Sequence, residues 1–146
     1  MADFRKITET LLASPQIEPE DIAEAKAEGV TLIINNRPDG EAPDQPDSSA
    51  IESAAREAGI DYVAIPVSGG GFSQPQVDAM AEALGNADGK VLAFCRSGTR
   101  STFLWALSQA KAGGDPDEIA SKAAAGGYDV SPIRQTLEML SGSAGS

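Results

Sequence analysis

Three short apolar runs constrain this chain most: Val30–Ile34 (VTLII), Tyr62–Val67 (YVAIPV) and Val91–Phe94 (VLAF). Each is short and apolar, the first strongly β-branched, so each reads as a strand, and YVAIPV as one whose proline marks its end. Helix signals lie between them. Glu18-Pro19-Glu20-Asp21 sets a proline and acids at the positive end of a helix running to about Glu28, where Gly29 stops it. Asp47-Ser48-Ser49 opens a second helix that Gly59 ends, Ser73 caps a third to about Ala87, and a fourth runs from near Arg100 to about Lys111. Strands alternating with helices of this length predict an α/β fold, a three-layer sandwich with a mainly parallel sheet. Function in such sheets sits at the carboxyl ends of the strands. The loops after Ile34, Val67 and Phe94 are therefore expected to share one site.

Phe4–Ile7 and Leu11-Leu12 are expected to be short strands ahead of this unit. Asp115-Pro116 and Ser131-Pro132 start two further helices, the last through Leu140. At about 100–200 residues per domain, 146 residues make one domain, taken as 1–140, with the small polar tail 141–146 disordered.

Twenty-two acidic residues oppose 11 basic ones, a net charge of −11. That field repels phosphate backbones and anionic lipid surfaces, so neither nucleic acid nor membrane is an expected partner. No apolar run reaches membrane-span length, and no signal-peptide core follows the first residues. The chain has one cysteine, Cys95, and no histidine. That excludes an intrachain disulfide, Ser-His-Asp and Cys-His catalysis, and the multi-cysteine and histidine metal sites. No metal and no cofactor is expected, and a lone free thiol fits a reducing cytoplasm.

One segment carries chemistry. Residues 91–102 read VLAFCRSGTRST: a buried strand, a cysteine at its carboxyl end, a short loop with Gly98, then a helix. A thiol there faces backbone N–H groups and the positive end of the next helix, which favours the nucleophilic thiolate without a histidine base. Arg96 and Arg100 are two of only six arginines, and the planar fork of Arg100 matches a tetrahedral oxyanion. Ser97, Gly98, Thr99 and Ser101 complete the anion-binding loop. Ser101 either donates to the cysteine sulfur or caps the helix. A non-catalytic anion-binding or redox-sensing module is the reading from outside enzymology.

CRSGTRS resembles the active-site loop of rhodanese-type sulfurtransferases, which share C-x-x-G-x-R-S. It is also similar to the protein-tyrosine-phosphatase signature C-x5-R, but one residue shorter, with Phe94 where a histidine usually stands. More of the chain resembles the beta-lactamase-hydrolase-like phosphatase-like domain family (DUF442). The matching stretches are SPQIEPEDI (14–22), GVTLIINNRPDGE (29–41), AGIDYVAIPV (58–67), VLAFCRSGTRS (91–101) and AGGYDVSPI (125–133). The resemblance implies a dual-specificity-phosphatase type of α/β fold and either of two reactions at Cys95.

Phosphatases of this kind protonate the leaving group with an aspartic acid on the loop after the preceding strand. The corresponding loop, Ser68–Ser73, has no carboxylate, and Asp39 is the residue expected to swing in. Sulfur transfer does not need that acid, because low-pKa sulfur leaves easily. A shorter loop also suits a sulfur atom better than a phosphoryl group. The expected function is therefore sulfur transfer through a Cys95 persulfide, from a small anionic or sulfane-sulfur donor to a thiol acceptor. A phosphatase forming a phosphocysteine at Cys95 is the alternative.

In the neighbouring loop, Arg37 is expected either to contact the anion or to pair with a local carboxylate, and Asp39 or Glu41 to serve as acid or orienting group unless Pro38-Asp39-Gly40 is a plain turn. Gly69–Gly71 reads as a lid or a connector and Phe72 as a pocket wall or loop anchor. Phe103 and Trp105 read as core, and Gly126-Gly127-Tyr128-Asp129 sets Tyr128 either near the site or, preferably, in core or turn packing.

Overall fold

The computed structural model describes residues 3–68 and 72–144. The glycine run Gly69–Gly71 lies outside them. The elements follow as β1 (Arg5–Lys6), β2 (Leu11–Ser14), α1 (Ile22–Ala27), β3 (Val30–Asn35), α2 (Ser48–Glu57), β4 (Asp61–Ala64), α3 (Gln74–Asn86), β5 (Lys90–Phe94), α4 (Thr99–Lys111), α5 (Pro116–Ala125) and α6 (Arg134–Ala144). Single 3-10 turns at Pro19–Asp21 and Ser131–Ile133 lead into α1 and α6.

The sheet order is β1-β2-β5-β3-β4. Only β1 runs antiparallel to its neighbour; β2–β5, β5–β3 and β3–β4 are parallel. The expected mainly parallel α/β sheet is what forms, with the hairpin β1–β2 added to its edge. Alternation along the strands feeds two cores. Leu11, Ala13, Ile34, Val91 and Ala93 face α3–α6, while Leu12, Ile33, Leu92 and Phe94 face α1 and α2. A fully buried side chain of the size of Leu92 or Phe94 contributes roughly 1.5–3 kcal/mol.

β5 is the central strand, and α4 leaves its end to become the most enclosed helix. Leu104, Trp105, Ala106, Leu107 and Ala110 are buried on it, against α3, α5 and α6. Trp105 is core as expected. Phe103 is half-buried and meets Phe72 at a ring-centroid distance of 6.2 Å, so Phe72 anchors its loop there.

Two boundaries differ from the sequence reading. Strand β4 stops at Ala64 rather than Val67, because Pro66 has no N–H to give. The chain stays extended, however, and the N–H groups of Ile65 and Val67 donate to the carbonyls of Asn35 and Asn36, each at 2.9 Å. Helix α6 runs to Ala144, so residues 141–144 of the supposed tail are helical. Ser141 Oγ ties that end down by donating to the Gly114 carbonyl at 2.9 Å. Among the described residues, no helix is long and apolar enough to cross a membrane.

Candidate active site

Sheet order puts β5 between β2 and β3, so the loop after β5 is flanked by the loops after both. Cys95 is the first residue past the strand. Its N–H donates to the Ser14 carbonyl, and the Gln16 N–H donates to the Arg96 carbonyl, both at 3.3 Å. Gly98 then turns the chain into α4 with φ +91°, a left-handed conformation that disfavours any side chain. This turn brings the Gly98 N–H to 3.1 Å from Cys95 Sγ, where it donates. Thr102 returns both its N–H and its hydroxyl to the Gly98 carbonyl, at 3.0 and 2.9 Å. The sulfur thus sits at the N-terminal end of a 13-residue helix, in the positive part of its dipole. Cys95 is fully buried.

Arg100, one turn into this region, faces an anion that the protein itself supplies. Its Nη1 donates to Glu41 Oε2 at 2.7 Å and its Nη2 to Glu41 Oε1 at 2.8 Å, a two-pronged pairing. Nη1 also donates to the Val67 carbonyl at 2.6 Å. Arg37 holds the same carboxylate from the other side, Nε to Oε1 at 2.9 Å, while its Nη1 donates to Gln16 Oε1 at 3.0 Å. The hydrogen bonds from Arg100 bring the Glu41 carboxyl down to about 2, against the opposing effect of burial, with Arg37 adding to the fall. Glu41 is therefore an ionised acceptor here. The Arg100 guanidinium is raised in turn, first by Glu41 and, more weakly, by the Cys95 sulfur close by.

The loops after Ile34, Val67 and Phe94 do converge, through Glu41, the Val67 carbonyl and Arg100. The carboxylate at the centre is Glu41, not Asp39. Asp39 accepts the Ser48 N–H at 2.8 Å and so secures the start of α2. Arg37 is buried in the site with its N–H on Asn35 Oδ1. Arg96 is exposed, and its side chain has no hydrogen-bond or ion-pair partner among the described residues. The Ser97 hydroxyl donates to Thr99 Oγ1 at 3.0 Å, which stiffens the loop. Ser101 is buried, yet its hydroxyl has no partner among the described residues; it neither reaches the sulfur nor caps the helix.

Of two further contributors, Gln16 escaped the sequence reading, and Tyr128 was weighed there but placed in packing. Gln16 comes from the loop after β2, a strand read only as lying ahead of the main unit in the chain. Tyr128 donates its hydroxyl to the Ser97 carbonyl at 3.0 Å. The Gly126-Gly127 pair before it was the available signal. Among the described residues, no group of three or more Cys, Asp and Glu side chains could hold a metal ion.

The model of one protein family, described as beta-lactamase hydrolase-like protein, phosphatase-like domain, matches residues 3–112. The chain belongs to this family. Among similar sequences, the beta-lactamase hydrolase-like protein of Xylella fastidiosa (strain 9a5c) is 38% identical over 133 residues, covering 90% of this chain. This phosphatase-like domain spans only 31% of that protein's length. Among solved structures, a candidate phosphatase from Neisseria meningitidis Z2491 is 34% identical, with a TM-score of 0.83 over 93% of this chain and 96% of its own. PTPMT1, at 14% identity, TM-score 0.73 and 97% and 96% coverage, shares the fold. The family and the cysteine-phosphatase fold thus agree with the resemblance carried by the Cys95 loop and its companion stretches.

Proposed function

We propose that this domain is a cysteine-dependent phosphatase acting on small phosphoric monoesters. The Cys95 thiolate attacks phosphorus, the bond from phosphorus to the leaving oxygen breaks, and a phosphocysteine forms. Water then attacks that phosphorus, freeing the thiolate and inorganic phosphate. The observation that carries the reading is the Glu41 carboxylate on the Arg100 fork: the protein already binds an oxyanion beside the sulfur, through Nη1 and Nη2. A substrate phosphoryl group takes that place when Glu41 withdraws, and Arg100 then stabilises the charge on its oxygens. The thiol is buried in the closed form, so the same withdrawal must open the path to Cys95.

The descriptions of the neighbours support ester hydrolysis over the sulfur transfer expected from loop length: one is a candidate phosphatase and PTPMT1 is known in complex with PI(5)P. With Glu41 ionised and Asp39 engaged elsewhere, the closed site offers no proton to the leaving group. Aryl phosphates, which leave without one, are the substrates it handles best. The reaction needs a reduced thiol and so a reducing compartment such as the cytoplasm.

Sulfur transfer stays as the second reading because Cys95 and Arg100 are one residue closer than in C-x5-R. In it, the thiolate attacks the sulfane sulfur of thiosulfate, the S–S bond breaks and sulfite departs. Cyanide or a thiolate then takes the outer sulfur from the persulfide. The deciding experiment compares turnover of para-nitrophenyl phosphate with thiosulfate plus cyanide and a glutathione persulfide, in the parent and in Cys95→Ser. Turnover of the phosphate alone, lost in Cys95→Ser, supports the proposal. A Cys95-dependent sulfur turnover with a mass gain of about 32 Da on the chain transfers the site to the second reading. Activity retained in Cys95→Ser sinks both.

A further inference from the structure

The peptide unit between Ser97 and Gly98 is bonded at both ends. Its N–H, on Gly98, donates to Cys95 Sγ at 3.1 Å. Its carbonyl, on Ser97, accepts the hydroxyl of Tyr128 at 3.0 Å. From these two contacts we infer that Tyr128 is a positioning residue for the nucleophile, acting through the Ser97–Gly98 peptide to hold and polarise the N–H that faces the sulfur. The inference rests on the Cys95 reading above and names a part of that machinery from outside the stretch that the family model matches.

Two physical effects follow from the arrangement. A hydrogen bond to a carbonyl strengthens the donor at the other end of the same amide, because chained bonds polarise one another. It also fixes the peptide plane, which a left-handed glycine could otherwise rotate. Burial pushes the Tyr128 hydroxyl above its ordinary range, so it keeps its proton and donates.

Tyr128 is itself held from three sides. Helix α5 ends in a Schellman turn: the Gly127 N–H donates to the Ala124 carbonyl and the Tyr128 N–H to the Ala123 carbonyl, each at 2.9 Å. The guanidinium of Arg5 lies 5.5 Å from the ring centroid, and Asp3 holds that guanidinium through Nε and Nη2. The third side is Gly98, where a methyl group would fall onto the phenol oxygen. A tyrosine packed only as core would not need its hydroxyl on the one carbonyl whose partner N–H serves the sulfur.

The test is Tyr128→Phe in the full chain, which keeps the ring between Gly98 and Arg5 and removes the hydroxyl. Iodoacetamide alkylation of Cys95 at pH 7 is expected to slow by about fivefold, the loss typical of one hydrogen bond. Turnover number on para-nitrophenyl phosphate should fall in parallel with KM nearly constant. In urea both chains should alkylate at one rate. A fluorotyrosine at 128, with a stronger donor hydroxyl, should alkylate at least as fast as the parent. Equal folded-state rates in Tyr128→Phe overturn the inference while leaving Cys95 catalysis in place. So does a change confined to KM. If the parent turns over neither phosphate nor sulfane sulfur, the reading of the site fails first, and the alkylation ratio still decides the role of Tyr128.

Discussion

Glu41 and Arg100 neutralise each other inside the site, and any anionic ligand that takes the fork must first displace the carboxylate. The strength of that pair is thus subtracted from ligand affinity. Glu41→Gln keeps the size and removes the charge, so inhibition by inorganic phosphate should tighten by about fivefold to tenfold. Unchanged or weaker inhibition would show that the ligand does not sit where Glu41 sits. The pair also has a stability signature. The folded carboxyl lies at about 2, below its ordinary 4.5. Its stabilisation is therefore complete above pH 4.5 and lost as pH falls through about 2. At about 1.4 kcal/mol per pH unit the upper bound is ~3 kcal/mol. Since the Glu41 side chain is 26% exposed, screening by solvent reduces it to about 1–2 kcal/mol. Urea midpoints of parent and Glu41→Gln should differ at pH 7 and differ by less than half as much at pH 3. An equal gap at both would exclude the charge as its source. At this scale Cys95, Arg100 and Arg37 were legible because thiol and guanidinium chemistry is scarce in this chain. Asp39 and Glu41 were not separable, since one lies within the Pro-Asp-Gly turn and the other directly after it, and only the folded loop decides which one turns inward.

Elements carry the site by where they end. Strands β2, β3 and β5 were readable from β-branched and apolar runs, and α3 from Ser73, whose hydroxyl accepts the Gln76 N–H while the Gln76 side chain accepts the Ser73 N–H. The pairing of β2 with the central strand was not readable, because four residues of any buried strand carry no address for their neighbour. The same holds for the contact between the first hairpin and the end of α5. That contact runs through Gly126 and Gly127. A methyl group at Gly126 would strike the Ile7 side chain and come within 3.3 Å of the Lys6 carbonyl, and one at Gly127, at φ +90°, would reach 2.7 Å from Arg5 Nη1. Gly126→Ala should therefore cost about 1–3 kcal/mol in urea unfolding. Gly127→Ala adds backbone strain and should also shift Tyr128, so it should lower the Cys95 alkylation rate where Gly126→Ala alters mainly stability. If both variants unfold and react like the parent, the hairpin does not brace the loop.

Across the whole molecule the Cys95 loop is a positive spot on a negative body. Arg37, Arg96 and Arg100 against Glu41 leave a local charge of +2, while the chain carries −11 in all. A domain of this length has a radius of about 15 Å. At low salt, with a screening length near 30 Å, about −13 at that distance outweighs about +2 at ~6 Å by about 1 kcal/mol in water. At physiological salt the length shrinks to about 8 Å, the distant charges fade faster than the near ones, and the balance reverses slightly. An anion should thus reach Cys95 more easily as salt rises, opposite to a protein whose whole face is basic. Alkylation by iodoacetate relative to neutral iodoacetamide isolates the effect, because both probes meet the same thiol behind the same Glu41–Arg100 closure. The ratio should climb about sevenfold between 10 and 150 mM sodium chloride. Arg96→Ala should lower the ratio at every salt concentration, since it removes an exposed cation of the loop and leaves the closure intact. A ratio that falls with salt would mean that the guanidinium groups already govern the approach at long range, and that the acidic surface has no part in selecting what enters.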